Sequence, residues 1–140
     1  MSETSSCIFC RIVREEIQAE VVHRSPRAVA FLDVQPLADG HVVVIPRTHV
    51  ARVADLQPAD AEGLFLAVAA LAGPVQRAVG GEGTTIGIND GEVTGQAVPH
   101  VHVHIVPRRR RDGAGSIHSM FPHGQRQPIA AIAAAIRKEM

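Results

Sequence analysis

Two spacings of apolar residues divide the chain into strands and helices. Short apolar stretches occur at "AEVVHRS" and "AVAFLD", joined by the turn "SPR", and again at "GHVVVIP" (40–46), "TTIGIND" (84–90) and "HVHVHIVP" (100–107). Each has strand length, is rich in β-branched residues and is bounded by turn-forming residues, so five strands are predicted. From Asp55 the spacing changes to 3.6 residues, and Leu64, Phe65, Val68, Leu71, Ala72, Val75 and Val79 fall on one face of a long helix. Asp55 or Asp60 serves its start, Pro58 suits its first turn and Gly80-Gly81 ends it, while Pro74 predicts a kink or an early end near Gly73. Shorter helices are predicted over residues 8–15 and 129–137. Strands gathered around one long helix make an α+β fold: a five-stranded, mostly antiparallel sheet with one long helix and short terminal helices.

Composition changes this picture little. At 140 residues, 46% hydrophobic and 20% charged, the chain is one ordinary domain with enough apolar residues for its own core. Fourteen basic and fourteen acidic residues cancel, so no overall field recruits nucleic acid or an anionic membrane. The local exception is "PRRRRD", whose Arg108, Arg109, Arg110 and Arg111 read as a solvated turn in preference to an anion site. No apolar run approaches a membrane span, and "MSETSSCIFC" lacks the basic start and apolar core of a signal peptide, so a cytoplasmic protein without membrane partners is expected. Cys7 and Cys10 are too few for a disulfide framework; in a reducing compartment a Cys-x-x-Cys pair points to metal or redox chemistry.

The chemistry concentrates in "PHVHVHIVP". Side chains alternate faces along a strand, so His100, His102 and His104 share one face about 7 Å apart, and Val101, Val103 and Ile105 share the other. One face is core and the other is chemistry. Three neutral imidazoles can hold a metal, or one can attack an electrophile while its neighbours orient it and stabilise charge. The polar, glycine-rich loop "NDGEVTGQAVPH" runs directly into this strand, and its backbone N–H groups suit a phosphate oxygen, which favours phosphoryl or nucleotidyl transfer.

The pattern "HVHVHIV" resembles the His-φ-His-φ-His-φ-φ mark of the histidine triad (HIT) superfamily of nucleotide hydrolases and transferases, where φ is apolar. The resemblance extends through "CIFCRIV", "AFLDVQPLADGHVVVIPRTHV" and "GINDGEVTGQAVPHVHVHIVPR", so residues 7–108 are expected to form the HIT domain and residues 109–140 a C-terminal loop and helix of the same unit. It implies a homodimer whose active site cleaves a purine nucleoside 5′-phosphate from a leaving group: a phosphoramidate, an adenylate or a dinucleotide polyphosphate. By the same resemblance His102 is the nucleophile that forms a nucleotidyl-histidine intermediate, His104 a phosphate ligand that helps with charge and protons, and the His100 carbonyl the acceptor for the far ring nitrogen of His102. A neutral imidazole with an acceptor behind it is what such a nucleophile requires.

The remaining assignments follow from the same likeness. Asn89 and Gln96 are implied phosphate contacts through their side-chain amides, and Asp33 is implied to accept the ribose hydroxyls. Phe9, Ile12, Ile17, Phe31, Leu32 and Val34 match positions around the base. In a zinc-binding subgroup the metal ligands correspond to Cys7, Cys10, His49 and His100, and two thiolates with two imidazoles form a closed, structural zinc site. These cysteines point to the bacterial Hint-like branch. One departure stands out: Ala97 follows "GQ" where many phosphoramidases of that branch carry serine, so a proton for a departing amine has to come from elsewhere, such as His104 or water. His118 and His123, in the tail, receive no role. Two other readings keep the same residues: a non-catalytic nucleotide-binding module, and a metalloenzyme with the triad as its metal centre.

Overall fold

The computed structural model of the chain describes residues 3–124 and 126–140. Its elements run α1 (Glu3–Ser6), α2 (Ile8–Val13), β1 (Val21–Arg24), β2 (Ala28–Leu32), β3 (Val42–Pro46), α3 (Pro58–Ala78), β4 (Gly83–Gly87), β5 (Val103–Arg108) and α4 (Ile129–Glu139). The strands form one sheet in the order β1-β2-β3-β5-β4, with every pair antiparallel. After β3 the chain crosses through α3 to the edge strand β4, and β5 then inserts between β3 and β4. The histidine-bearing segment therefore leads into an inner strand, with packed neighbours on both sides.

Both faces of the sheet are covered. Ala28, Ala30, Val42, Val44, Val103 and Ile105 pack under α3 against Leu64, Ala67, Val68, Leu71 and Val75. On the opposite face Val29, Phe31, Val43 and Ile45 pack against Cys7, Phe9, Cys10 and Ile12 from the N-terminal helix region. Double coverage is why β2 and β3 read as unbroken apolar runs, "AVAFL" and "VVVIP", without polar alternation. Each fully buried valine or isoleucine there contributes roughly 1.5–3 kcal/mol of transfer free energy.

α3 differs from its sequence reading in three ways. Leu64, Val68, Leu71 and Val75 lie in the core, but Phe65 is 69% exposed, because Ala67 completes the buried stripe instead. Pro74 ends nothing: the helix runs unbroken to Ala78. The residue before Pro74 is Gly73, which has no Cβ to collide with the proline ring, and Pro74 and Ala70 both face outward, where water can take the unpaired carbonyl. Neither acidic candidate caps the start, which is Gln57 followed by Pro58; Asp60 is buried and accepts a hydrogen bond from the Arg27 guanidinium at 3.1 Å. A further correction concerns length: α3, at 21 residues, is long and apolar enough to cross a membrane, but it lies along the sheet with its apolar stripe in the core.

Gly63 provides a test of this packing. A Cβ there would sit 2.4 Å from the Cβ of Arg27, the residue that neutralises buried Asp60. Helix propensity alone favours Gly63→Ala by about 1 kcal/mol. The overlap cannot be relieved by a side-chain tip, and moving Arg27 strips a buried carboxylate of its partner. Gly63→Ala is therefore expected to destabilise by about 1–3 kcal/mol in urea denaturation; a gain in stability would show that α3 is not seated on Arg27.

The arginine run is a turn with internal partners. Arg108 makes a two-pronged ion pair with Asp112 at 2.7 and 3.1 Å, Arg109 donates to the Val79 carbonyl, and Arg110 pairs with Glu82 at 3.2 Å. Beyond it the chain is largely exposed, including His118 and His123, and α4 presents Ile129 and Ile136 to solvent.

Candidate active site

β5 begins at Val103, so His100 and His102 precede the ladder expected to start at residue 100. The Val101 N–H donates to the Val50 carbonyl at 2.7 Å, which keeps the backbone extended there and preserves the alternation. Val101, Val103 and Ile105 enter the core under α3. The three histidines face the other way at graded depth: His100 is fully buried, His102 is 6% exposed and His104 is half-buried.

Each ring is fixed by a backbone group or by another ring. The Nδ1–H of His102 donates to the His100 carbonyl at 2.7 Å, so the lone pair of a neutral His102 lies on Nε2. The Nε2–H of His100 donates to the Pro46 carbonyl at 2.9 Å, which leaves its Nδ1 lone pair 3.6 Å from both cysteine sulfurs. His49 Nδ1 lies 3.2 Å from the Cys10 sulfur, and ligand atoms of Cys7, Cys10, His49 and His100 all fall within 4.8 Å of one another. These four residues can hold a metal ion, and the Pro46 carbonyl behind His100 is the outer partner that metal-bound imidazoles ordinarily have. Burial pushes His100 down to about 4, keeping it neutral, while burial and the Cys7 thiol push Cys10 up to about 11, so holding it as a thiolate takes a cation at the same place.

His41, which no sequence motif marks, completes the ring network. It is 2% exposed at the mouth of β3, accepts the Leu37 N–H on Nδ1 at 3.0 Å, and places Nε2 2.9 Å from His104 Nδ1. Burial lowers the pKa of both His41 and His104. Its only sequence signal is a polar residue opening the otherwise apolar "GHVVVIP". Asp33, His41 and His104 also cluster closely enough for a metal. The amide of Leu37 argues against one: by taking the Nδ1 lone pair it leaves the His41 proton on Nε2, the very atom a metal would need. Asp33 stands at the end of β2 with Oδ1 accepting the Gln35 N–H at 2.8 Å and Oδ2 3.6 Å from His41 Nε2.

The base and phosphate residues divide. Phe9, Ile12 and Phe31 are buried in one apolar cluster, Ile17 borders it, and the Phe9 ring stands edge-on to His102 with centroids 5.1 Å apart. Leu32 departs from its expected place, since strand alternation sends it to the face opposite Phe31; Val34 is 93% exposed and also lies outside the cluster. Asn89 is exposed on the loop before Gly91. Gln96, the other implied phosphate contact, turns its amide onto the loop: its Oε1 accepts the Gly91 N–H at 2.7 Å and its Nε2 donates to the Ala51 carbonyl at 2.8 Å, so it braces the loop. Gly91 and Gly95 have φ of 108° and 95°, conformations that side chains rarely adopt, and give the loop its tight curvature. Ala97 borders a cavity of about 470 Å³ shared with Ile8, His49, Val98 and Pro99.

Comparison with known proteins places the chain in a family. The HIT domain family model matches residues 14–111. The bis(5′-nucleosyl)-tetraphosphatase (asymmetrical) of Schizosaccharomyces pombe is 38% identical over 96 residues, 69% of this chain but only 53% of that protein. Adenosine 5′-monophosphoramidase hnt1 of the same organism is 35% identical over 103 residues, 74% of each chain. Among solved structures, a Zn-bound histidine triad family protein from Mycobacterium smegmatis superposes with a TM-score of 0.75 at 29% identity, covering 96% of this chain and 99% of that one. With the family model spanning most of its length and its histidine-bearing strand set in that fold, the chain belongs to the HIT family.

Proposed function

We propose that the chain is a nucleotide hydrolase of the Hint-like branch that releases a purine nucleoside 5′-monophosphate through a covalent intermediate on His102. The observation that carries this reading is the 2.7 Å hydrogen bond from His102 Nδ1 to the His100 carbonyl, which aims a lone pair outward from a nearly buried ring. In the first step a bond forms between Nε2 and the α-phosphorus, and the bond from phosphorus to the leaving group breaks with its electron pair. The positive charge that develops on the ring is met by the carbonyl dipole at Nδ1–H. Water then attacks the same phosphorus and releases one proton to solvent, the P–N bond breaks with its electron pair returning to Nε2, and neutral His102 is regenerated. His104 contributes a donor to the phosphoryl oxygens, Asn89 and the loop N–H groups contribute further phosphate contacts, Asp33 accepts ribose hydroxyls, and Phe9, Ile12, Ile17 and Phe31 form the apolar wall for the base. The activities named for the two yeast relatives support a nucleoside phosphate as substrate.

Zinc is the proposed metal at Cys7, Cys10, His49 and His100, supported by the donor set and by the Zn-bound relative. When bound it supplies a structural cross-link with no open coordination position. The residues themselves tie α2 to the catalytic segment, because Cys7 precedes α2, Cys10 lies in it and His100 lies two residues before His102. A homodimer is proposed from the edge of the sheet: β4 ends it, and Phe65, Ile86 and Ile88 line an exposed apolar groove with Leu56 and Val53. Sedimentation is expected to give a dimer, and Phe65→Glu to shift it toward monomer.

The test of the reading is a panel of adenosine phosphoramidate, adenylyl sulfate and diadenosine polyphosphates. AMP release from at least one class is expected with kcat/KM of about 10⁴ M⁻¹s⁻¹ or higher. Saturable binding of all of them without turnover of any would select a non-catalytic binding module.

A further inference from the structure

We propose that His41 is a positioning residue that locks His104 as a neutral Nε2–H hydrogen-bond donor, so that this chain favours leaving groups that depart as anions over leaving groups that need a proton. The inference rests on the hydrolase reading above and names its substrate class. It begins with a backbone amide. The Leu37 N–H can only donate, and it points at His41 Nδ1 from 3.0 Å, so the one ring proton of neutral His41 sits on Nε2. Asp33 Oδ2, at 3.6 Å, lies beyond hydrogen-bond reach of that nitrogen, whereas His104 Nδ1 lies at 2.9 Å. His104 Nδ1 is therefore an acceptor, and the proton of His104 sits on Nε2.

Two adjacent rings, 5.0 Å apart and 73° to one another, are thus held in opposite tautomers by two backbone groups. The His100 carbonyl makes His102 a lone-pair donor at Nε2, and the Leu37 amide, acting through His41, makes His104 an N–H donor at Nε2. The second ring can stabilise phosphoryl charge, but it cannot act as an acid. To be an imidazolium it would need a proton on Nδ1, where His41 already directs one; to give up its Nε2 proton from the neutral form it would have to become an imidazolate. The loop that presents Leu37 is itself held, with the Asp33 N–H on the His41 carbonyl at 2.9 Å and the His41 N–H on the Ala38 carbonyl at 3.1 Å. Ala97, in the loop before the histidine segment, has no side-chain proton to give either. A carboxylate, sulfate or polyphosphate leaves with the bonding pair and needs no proton; an amine leaving phosphorus needs one.

The test compares adenylyl sulfate with adenosine phosphoramidate in the wild type, His41→Ala and His41→Gln, alongside nitrogen-15 spectra of the histidine rings. Wild type is expected to favour adenylyl sulfate in kcat/KM by at least about 10²-fold, the lower end of what a general acid is worth. In His41→Ala the Nδ1 of His104 is released for protonation, so the preference narrows by about tenfold or more although both rates fall. His41→Gln can accept from Leu37 and donate to His104, and keeps the wild-type preference. Damage that is merely structural lowers both substrates in proportion and leaves the ratio unchanged, which overturns the proposal. So does a ring spectrum showing His104 protonated on Nδ1 in the wild type, a readout that needs no variant to fold. Absence of turnover of every substrate by the wild type fails the hydrolase reading instead, and the ring spectrum then still decides the tautomer.

Discussion

His102→Ala is expected to lower kcat for AMP release by at least about 10⁴-fold while nucleotide affinity changes by no more than a few-fold. The size of the effect follows from what the ring does. Without Nε2 no covalent intermediate forms, and water would have to attack the substrate directly beside a loop and a neighbouring ring that only bind. Binding survives because Phe9 keeps its contact with Phe31, ring centroids 5.5 Å apart, inside the core cluster when the His102 ring is removed, and the loop is braced by Gln96 and by Asp90, whose Oδ1 accepts the Val53 N–H at 2.9 Å. Single-turnover kinetics and equilibrium titration of a nucleoside monophosphate separate the two quantities. A variant that loses binding and turnover in parallel would mean that His102 holds the site together instead of reacting.

The second large effect concerns the cysteines. Cys7→Ser with Cys10→Ser, or removal of metal by a strong chelator, is expected to destabilise the protein by about 3 kcal/mol or more, roughly 10 °C in Tm, because metal affinity built into a folded site is folding free energy. The damage is not confined to the N-terminus. α2 carries Phe9, which stands against both His100 and His102, so loosening α2 frees the proposed base wall and one side of the nucleophile together. Thermal melts with and without added zinc check this: zinc is expected to restore the wild type after chelation and to leave the double variant unchanged. Equal melting temperatures for chelated and zinc-loaded wild type would remove the metal from the account.

Much of this was legible in the chain itself. Strand β5 and the segment before it declared their two faces, because alternation with period two cannot be satisfied by any helix, and the buried runs of β2 and β3 stood out for lack of polar positions. What stayed hidden depends on partners distant in sequence. Asp60 reads as a helix cap until Arg27, 33 residues earlier, is seen to neutralise it. Phe65 reads as core because it is apolar and beside the stripe, whereas Ala67 is small enough to let the helix approach the sheet. Gln96 matches a ligand contact by position, and nothing near it in the sequence shows that its amide also bonds the Ala51 carbonyl, 45 residues away. His41 was invisible as a functional residue because its partner, His104, lies 63 positions away, and nothing in "GHVVVIP" shows which ring will face it. Residues whose role comes from local periodicity are readable; residues whose role comes from a single long-range contact are not.

The central claim, that His102 is the group that takes the phosphorus, is tested most directly by trapping the intermediate. Wild-type protein mixed with a slowly hydrolysed adenosine phosphate substrate and quenched within one turnover is expected to gain the mass of one AMP moiety, mapped by peptide sequencing to His102 and absent from His102→Ala. Turnover without such an adduct, or an adduct on His104 or another residue, would contradict the account.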